Sequence, residues 1–418
     1  MKNDAFIRYN ADTFQRLGYL KALVAVLDPQ RRSLSTEAIV NKLHSILAKE
    51  NEGITWAHRM IRQPEVRSWI PGIKASRLRE IVDWGRLAGL VGSGNQITER
   101  GLLLRTIIGE QGVRSILAAE ETANPFVLTF AERAFFLFLN LEFDNVLYFL
   151  LRRLGEFGED TVIRGLDADR LTCLAFYDLL QDLMASRRTG SALLIIKNLR
   201  ELIGRMVEEL EMIDEVPVTP PRTPPTTSLK RKPNQRERRR TKASDHEAIP
   251  RFELLVDLGL LSKSADVKDA DEKARKSWRY IQTPILQRVG RRLALSSRSK
   301  FLSSGFASLM SELREQPTQV LNVEIDSVEI ARLSLEGFKK VQRRFGHTPI
   351  ESVAIITMLE SLEKGKVVEL EDVHQVFLDY KQTNLFPNSV RFAAGNDLEK
   401  MFIDIRPTFA EELEKYRE

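Results

Sequence analysis

The sequence predicts a mainly α protein of several helical units, two of which carry a small β-hairpin. Three observations predict it. Apolar residues recur at helical spacing along most of the chain. A short pattern occurs twice at an offset of 174, where Arg77, Val82, Asp83, Gly85 and Leu87 match Arg251, Val256, Asp257, Gly259 and Leu261. Behind each copy come signals for a strand, a turn, a returning strand and a Thr-capped helix.

Taken in order, residues 12–27 have helical spacing through Phe14, Leu17, Leu20, Leu23, Val24 and Leu27. Thr36 starts a second helix, through Ala48, with Ile39, Val40, Leu43, Ile46 and Leu47 on one face. Residues 54–62 read as a short helix, and Pro64 and Pro71 break the chain before the first copy of the repeat. In that copy Leu78, Ile81 and Val82 form one buried helical face, and Gly85 ends or bends the helix. Residues 88–91 read as a strand, Gly92–Asn95 as a tight turn and 96–98 as its return, with Thr98 capping the next helix.

Thr129 and Glu132 form a capping box ahead of an aromatic helix. The most apolar stretch, Ala134–Leu151, contains Asn140, Glu142, Asp144 and Asn145 and is too short to span a bilayer, so it reads as core helix. Residues 144–154, 167–186 and 192–213 are amphipathic helices. Segment 214–247 is rich in Pro, Thr and basic residues and is expected to be disordered, because it has too little apolar surface to offset chain ordering. Folded sequence resumes near Ile249. In the second copy Phe252, Leu255 and Val256 form the buried face, a polar excursion runs from Ser262 to Ser277, and 278–283 return to Pro284 at a first helical position. Beyond residue 301, helices are expected at 328–345, 349–363 and 370–380, a strand at 388–393 and a short helix at 396–404.

A helix that stops on Gly and runs into a hairpin resembles the recognition helix and wing of the winged helix-turn-helix superfamily. The resemblance is to a fold and covers about 30–40 residues around each copy. It implies a winged-helix domain over 1–122, a helical domain over 123–213, the disordered segment 214–247, a second winged-helix module over 248–300 and a C-terminal helical region over 301–418. The second module lacks helices immediately before residue 250. Either 167–186 and 192–213 complete it across the inserted segment, which is the favoured reading, or the C-terminal region does. A third helix-turn-helix-like unit in that region stays open.

Net charge is +5, but segment 217–242 holds nine basic residues against Glu237, or +8, which leaves −3 for the rest. Attraction to nucleic acid therefore has to come from this segment and from local patches. Lys230, Arg231, Lys232, Arg236, Arg238, Arg239, Arg240 and Lys242 are candidate phosphate contacts; without aromatics among them, base stacking is not expected. The alternatives are a solubilising linker or a nuclear-import signal. On the first recognition-like helix Lys74, Arg77, Arg79 and Arg86 lie off the apolar face, where arginine can bond phosphate or guanine edges. The bland reading is a solvated face with Glu80 and Asp83 pairing to those arginines. The second helix offers Arg251 beside Glu253 and Asp257, read as exposed, and suits protein better than DNA. Its wing nets +1, from five basic residues including Lys263 against four acids, and Arg279, Arg288, Arg291 and Arg292 follow close behind.

Enzymatic signatures are not found. There is no P-loop and no His-Glu-x-x-His; the five histidines lack metal-ligand spacing. Cys173, the single cysteine, reads as a small buried hydrophobe, and its isolation excludes an intrachain disulfide and suggests a reducing compartment. Glu324, Asp326 and Glu329 ahead of Lys339 and Lys340 make a poor nuclease pattern. The N-terminus has no apolar run of a secretory signal. The expectation is a cytoplasmic, non-catalytic protein without cofactor or metal that binds duplex DNA and contacts no membrane. The alternative is a scaffold subunit that holds a separate nuclease, helicase or ATPase. Multi-unit winged-helix proteins of that kind resemble accessory components of bacterial defence or mobile-element operons, at the level of fold alone. An enzyme with an unrecognised site is the last reading.

Overall fold

The structure is a computed structural model that describes residues 16–417 except 48–49, 52–53, 56–74, 121–123, 159–160, 186–190, 213–214, 217–242, 266–277, 315–324, 343–346 and 394–400. It is mainly helical, with sixteen helices and three small antiparallel sheets among the described residues.

The N-terminal part contains α1 (Gly18–Val26), α2 (Thr36–Leu47), the two-residue strands β1 (Glu50–Asn51) and β2 (Ile54–Thr55), α3 (Ala75–Leu87) and α4 (Glu99–Leu117). Every residue of α1 is buried, because α2, α3 and α4 all pack on it. Ile54 and Thr55 are strand where the sequence suggested helix; the remainder of 54–62 and Phe14 lie outside the described residues.

Next come α5 (Phe130–Phe143) and α6 (Asn145–Leu154). The capping box at Thr129 and Glu132 opens α5. The apolar stretch 134–151 falls in these two helices, the second matching the helix expected over 144–154, and they meet at 112°. Asp144 causes the break: it ends α5 in an extended conformation, and its carboxylate then accepts from Val146 N to cap α6. Two charged ties hold this layer to its neighbours. Lys21 of α1 pairs with Glu132 at 2.8 Å, and Arg100 of α4 bonds both Glu142 and, farther along the chain, Glu351, each at 2.7 Å.

The middle of the chain runs β3 (Val162–Arg164), α7 (Gly165–Ala185), α8 (Ser191–Leu210), α9 (Ala243–Asp257), β4 (Leu261–Ala265), β5 (Trp278–Gln282) and α10 (Pro284–Ala294). The sheet order is β3-β5-β4, with Val162 opposite Ile281 and Leu261 opposite Gln282. α9 packs on α7 and α8, so helices on both sides of the basic segment share one core. α9 begins at Ala243, earlier than the expected resumption at Ile249; residues 217–242, on which most of the disorder expectation falls, lie outside the described residues. α10 runs antiparallel to α6 at very close range: a Cβ at Gly290 would sit 2.5 Å from Gly155 Cα and from Leu151 O. Only glycine allows that approach.

The C-terminal part runs α11 (Arg298–Ser304), α12 (Phe306–Glu312), α13 (Ser327–Val341), β6 (Thr348–Pro349), α14 (Ile350–Glu363), α15 (Leu370–Thr383), β7 (Val390–Ala393), β8 (Phe402–Ile405) and α16 (Phe409–Arg417). Its sheet order is β6-β8-β7. The helix expected over 396–404 is corrected: Phe402–Ile405 pairs with both β6 and β7, burying Ile403 and Ile405 at strand spacing. Residues 396–400 are outside the described part.

The twin segments do share a backbone design, but in a different register. Gly85 does not end its helix; α3 continues to Leu87, and Gly85 is small because a Cβ there would meet Leu23 Cδ2 of α1 at 2.4 Å. The helix ends through Gly89, whose φ of 68° corresponds to the 75° of Gly259. At this offset of 170 the hydrogen bonds coincide: Leu90 N donates to Gly85 O as Leu260 N donates to Leu255 O, both at the helix end. Farther on, Thr98 N and Oγ1 reach Leu90 O and Gly89 O, as Thr283 N and Oγ1 reach Leu260 O and Gly259 O. The hairpin behind the first copy is minimal, a single bridge between Val91 and Ile97. Four other helices end with the same bond after a left-handed residue: α4 through Ala119, α8 through Glu211, α14 through Gly365 and α15 through Asn384, where Leu385 N donates to Tyr380 O.

Candidate nucleic-acid interface

The arginine of the second repeat is an internal strut. Arg251 of α9 is 0 % exposed. Its Nε lies 2.9 Å from Asp144 Oδ2 and its Nη1 2.8 Å from Glu247 Oε2, with the guanidinium 5.0 Å from the centre of the Phe176 ring. The sequence placed Arg251 among DNA contacts and Glu253 and Asp257 in solvent; all three are corrected. α9 is enclosed by α7, α8 and β4, and its charges are satisfied inside. Glu253 pairs with Lys263 and accepts from Tyr280 Oη at 2.9 Å, so Lys263 of the expected wing is also turned inward.

Asp257 reaches across to the start of α1, where Arg16 pairs with it and Leu17 N donates to Oδ2 at 2.6 Å. Burial dominates here and pushes its pKa up to about 6, against the opposing effects of Arg16 and the Leu17 amide. A carboxyl whose folded pKa is raised favours folding most below its unfolded value, and that advantage fades as pH rises through about 6. The stability difference between the unmodified chain and Asp257→Asn should therefore shift against the unmodified chain from pH 4 to pH 7, read as melting temperatures; a difference that does not change with pH contradicts the assignment.

On α3, Arg79 is exposed, whereas Arg86 is committed to the fold: it pairs with Asp83 and donates to Asn95 Oδ1. Asn95 in turn donates to Leu34 O at 3.0 Å and Thr36 Oγ1 at 3.1 Å, tying the turn to α2. Arg86 thus braces the turn. Lys74 and residues 230–242 lie outside the described residues, as does the side chain of Arg77. Arg279 is half-buried in the central strand, opposite Arg164 and Ser264. α15, the helix ahead of the β7–β8 hairpin, presents Glu371, Asp372 and Asp379 to solvent, a face that repels phosphate.

One expected group does form a surface. Arg288, Arg291 and Arg292 are exposed together on α10, at spacings of three and four residues, while Leu286, Val289 and Leu293 are buried on the opposite side. Glu312 pairs with Arg292, and its carbonyl accepts from Arg288 at 3.5 Å; Arg291 has no ion pair with a described residue. Leu295 continues this face at 82 % exposure. Arg152, not singled out from sequence, adjoins it: its guanidinium lies 5.6 Å from the ring centre of Tyr148, whose hydroxyl donates to Leu293 O and Ser296 O at the end of α10. The Tyr-x-x-x-Arg spacing on one helix face was its legible signal. Two arginines in the last turn also complement the helix dipole, which is the purely structural account of Arg291 and Arg292.

The remaining chemistry-bearing residues do not assemble. Cys173 is buried and its thiol is pushed up to about 12 by desolvation. Asp326 caps α13, and Glu329 pairs with Arg332 and Lys366, whose hydrogen bonds hold it down at about 2. Among the described residues no three potential metal ligands cluster, and no single helix is long and apolar enough to cross a membrane. No family model, no curated protein and no solved structure matches this chain.

Proposed function

We propose that this chain is a non-catalytic, cytoplasmic duplex-DNA-binding protein built from winged-helix units. The fold-level part of this reading is supported by connectivity. From α6 to β5, and again from α13 to β8, a helix leads to a short strand, then helices, then a hairpin whose last strand lies centrally. The stretch from α13 to β8 has the three helices and small sheet of a winged helix, and the stretch from α6 to β5 has the same sheet with one helix more. The observation that carries the binding reading is the outward arginine face of α10, which the basic segment 230–242 supplements in sequence-independent attraction. In this arrangement the folded units set orientation and the segment adds affinity.

Replacing Arg288, Arg291 and Arg292 together by Ala should weaken duplex binding by about 10–100-fold at low salt, as expected for the loss of a few charged phosphate contacts. These side chains are exposed, so the fold should be retained. An unchanged affinity by electrophoretic shift rejects the α10 face. A second reading, the scaffold subunit, is favoured by a specific observation: α9 is enclosed and α15 is acidic, so two of the three helices in recognition position are unsuited to DNA. A scaffold would tolerate the triple change and hold its protein partner through other surfaces.

A further inference from the structure

β3 is an open edge of its sheet: β5 pairs with it on one side, and no described strand pairs with it on the other. Gln282 N donates to Thr161 O at 3.2 Å, which makes these two residues a hydrogen-bonded pair of the ladder. Val162 and Ile281, one step on, are then a non-bonded pair, so the N–H and C=O of Val162 point away from β5 to the free edge. The next outward amide, that of Arg164, is already taken, because it donates to Asp167 Oδ2 at 3.2 Å. The edge therefore offers one complete donor and acceptor set, centred on Val162.

Ile163 is buried on the inner face of the sheet, while Val162 and Arg164 lie exposed on the outer one. Val162 is 46 % exposed, and Phe157 before the strand and Leu166 after it are each 39 % exposed. Sheet edges left to water are commonly blunted by lysine or proline; this one has an apolar residue at its centre. Arg164 forms no ion pair with a described residue, and it stands directly opposite Arg279, like charge beside like charge. The sequence supplies an acid at the matching distance. Asp160-Thr161-Val162-Ile163-Arg164, set antiparallel against itself about Val162, brings Asp160 opposite Arg164 twice. Asp160 itself lies outside the described residues.

An edge whose backbone groups, apolar centre and charges all complement themselves fits a two-fold partner, because across such an axis the same patch meets itself. We infer that the chain forms a symmetric dimer in which β3 pairs antiparallel with β3 of a second copy, joining two three-stranded sheets into one of six strands. Val162 N–H and C=O then exchange bonds with Val162 of the partner subunit, and Arg164 gains a carboxylate. Exposed apolar side chains at the edge leave water in the same step. This inference does not depend on DNA binding by α10, and either can fail alone.

The test is sedimentation velocity of the full chain, without DNA, from about 1 to 100 μM. The chain should pass from monomer to dimer over that range. Val162→Lys, which sets two like charges on the axis, should leave it monomeric with an unchanged circular dichroism spectrum, because the side chain it alters is exposed. Arg164→Asp should weaken association by at least about tenfold, and combining it with Asp160→Arg should restore it. That rescue separates a pairing centred on Val162 from a general loss of structure at the edge. A chain that stays monomeric throughout overturns the inference, and so does a dimer indifferent to Val162→Lys. Association that Arg164→Asp weakens and the exchanged pair fails to restore overturns the antiparallel register. Duplex binding measured on the same preparations reports separately on α10 and segment 230–242.

Discussion

Arg251→Ala should destabilise the chain by about 3–5 kcal/mol, the cost of removing one partner from a buried ionic cluster. The residue is fully enclosed, and its loss leaves Asp144, also 0 % exposed, without the guanidinium that lies 2.9 Å away. Asp144 would still cap α6 through Val146 N, but its charge would be buried beside a new void. Glu247, one turn earlier on α9, would lose its partner as well. The effect should extend beyond α9, because Asp144 forms the corner between α5 and α6. A fall in the urea midpoint matching that loss is the expected reading, whereas a shift of less than about 1 kcal/mol would mean that these groups are not held together as described. Replacing the charges jointly, with Arg251→Met, Asp144→Asn and Glu247→Gln, should recover much of the loss, since the penalty comes from the unpaired charges.

Neutralising the eight basic residues of 230–242 to Gln should reduce duplex affinity by a factor on the order of 10³ at low salt, almost equally for all sequences. The rest of the chain is net acidic, so it offers no general attraction to substitute for the segment. Stability should not change, because the composition supplies almost no apolar side chains to a core. A loss below about threefold in an electrophoretic shift assay would assign the segment to solubility or partner binding and favour the scaffold.

Much of the fold was legible where signals are local. The Thr129–Glu132 capping box, the Thr98 and Thr283 caps and Pro284 at the start of α10 each depend on neighbours within a turn, and each was read correctly. The repeat was legible as a pattern but misaligned by four residues, since Gly85 and Gly89 are both glycines at a helix end. One is required for packing against Leu23 and the other for its left-handed φ, and sequence alone does not separate these causes. The same helix end recurs without glycine at Ala119, Glu211 and Asn384, where the sequence gives no signal for it. β3 and β6 have three and two residues, too few to show an alternation, and their partners are more than 50 residues away.

The candidate site was less legible for the same reason. An arginine reads as solvent-facing until its partner is known, and Asp144 lies 107 residues before Arg251. The hint within reach was Glu247 at i−4, which forms a pair with it on α9. α10 was easier, because its apolar stripe of Leu286, Val289 and Leu293 forces Arg288, Arg291 and Arg292 to the outside.

The most direct measurement is the equilibrium constant of the full chain for a short duplex as monovalent salt is raised from about 50 to 200 mM. If the basic segment and the α10 face bind backbone phosphates, with roughly six to eight contacts, the logarithm of the constant should fall against the logarithm of salt with a slope of about −5 to −7. No binding at the lowest salt, or a slope near zero, would contradict the account and leave the helical units as a platform for protein.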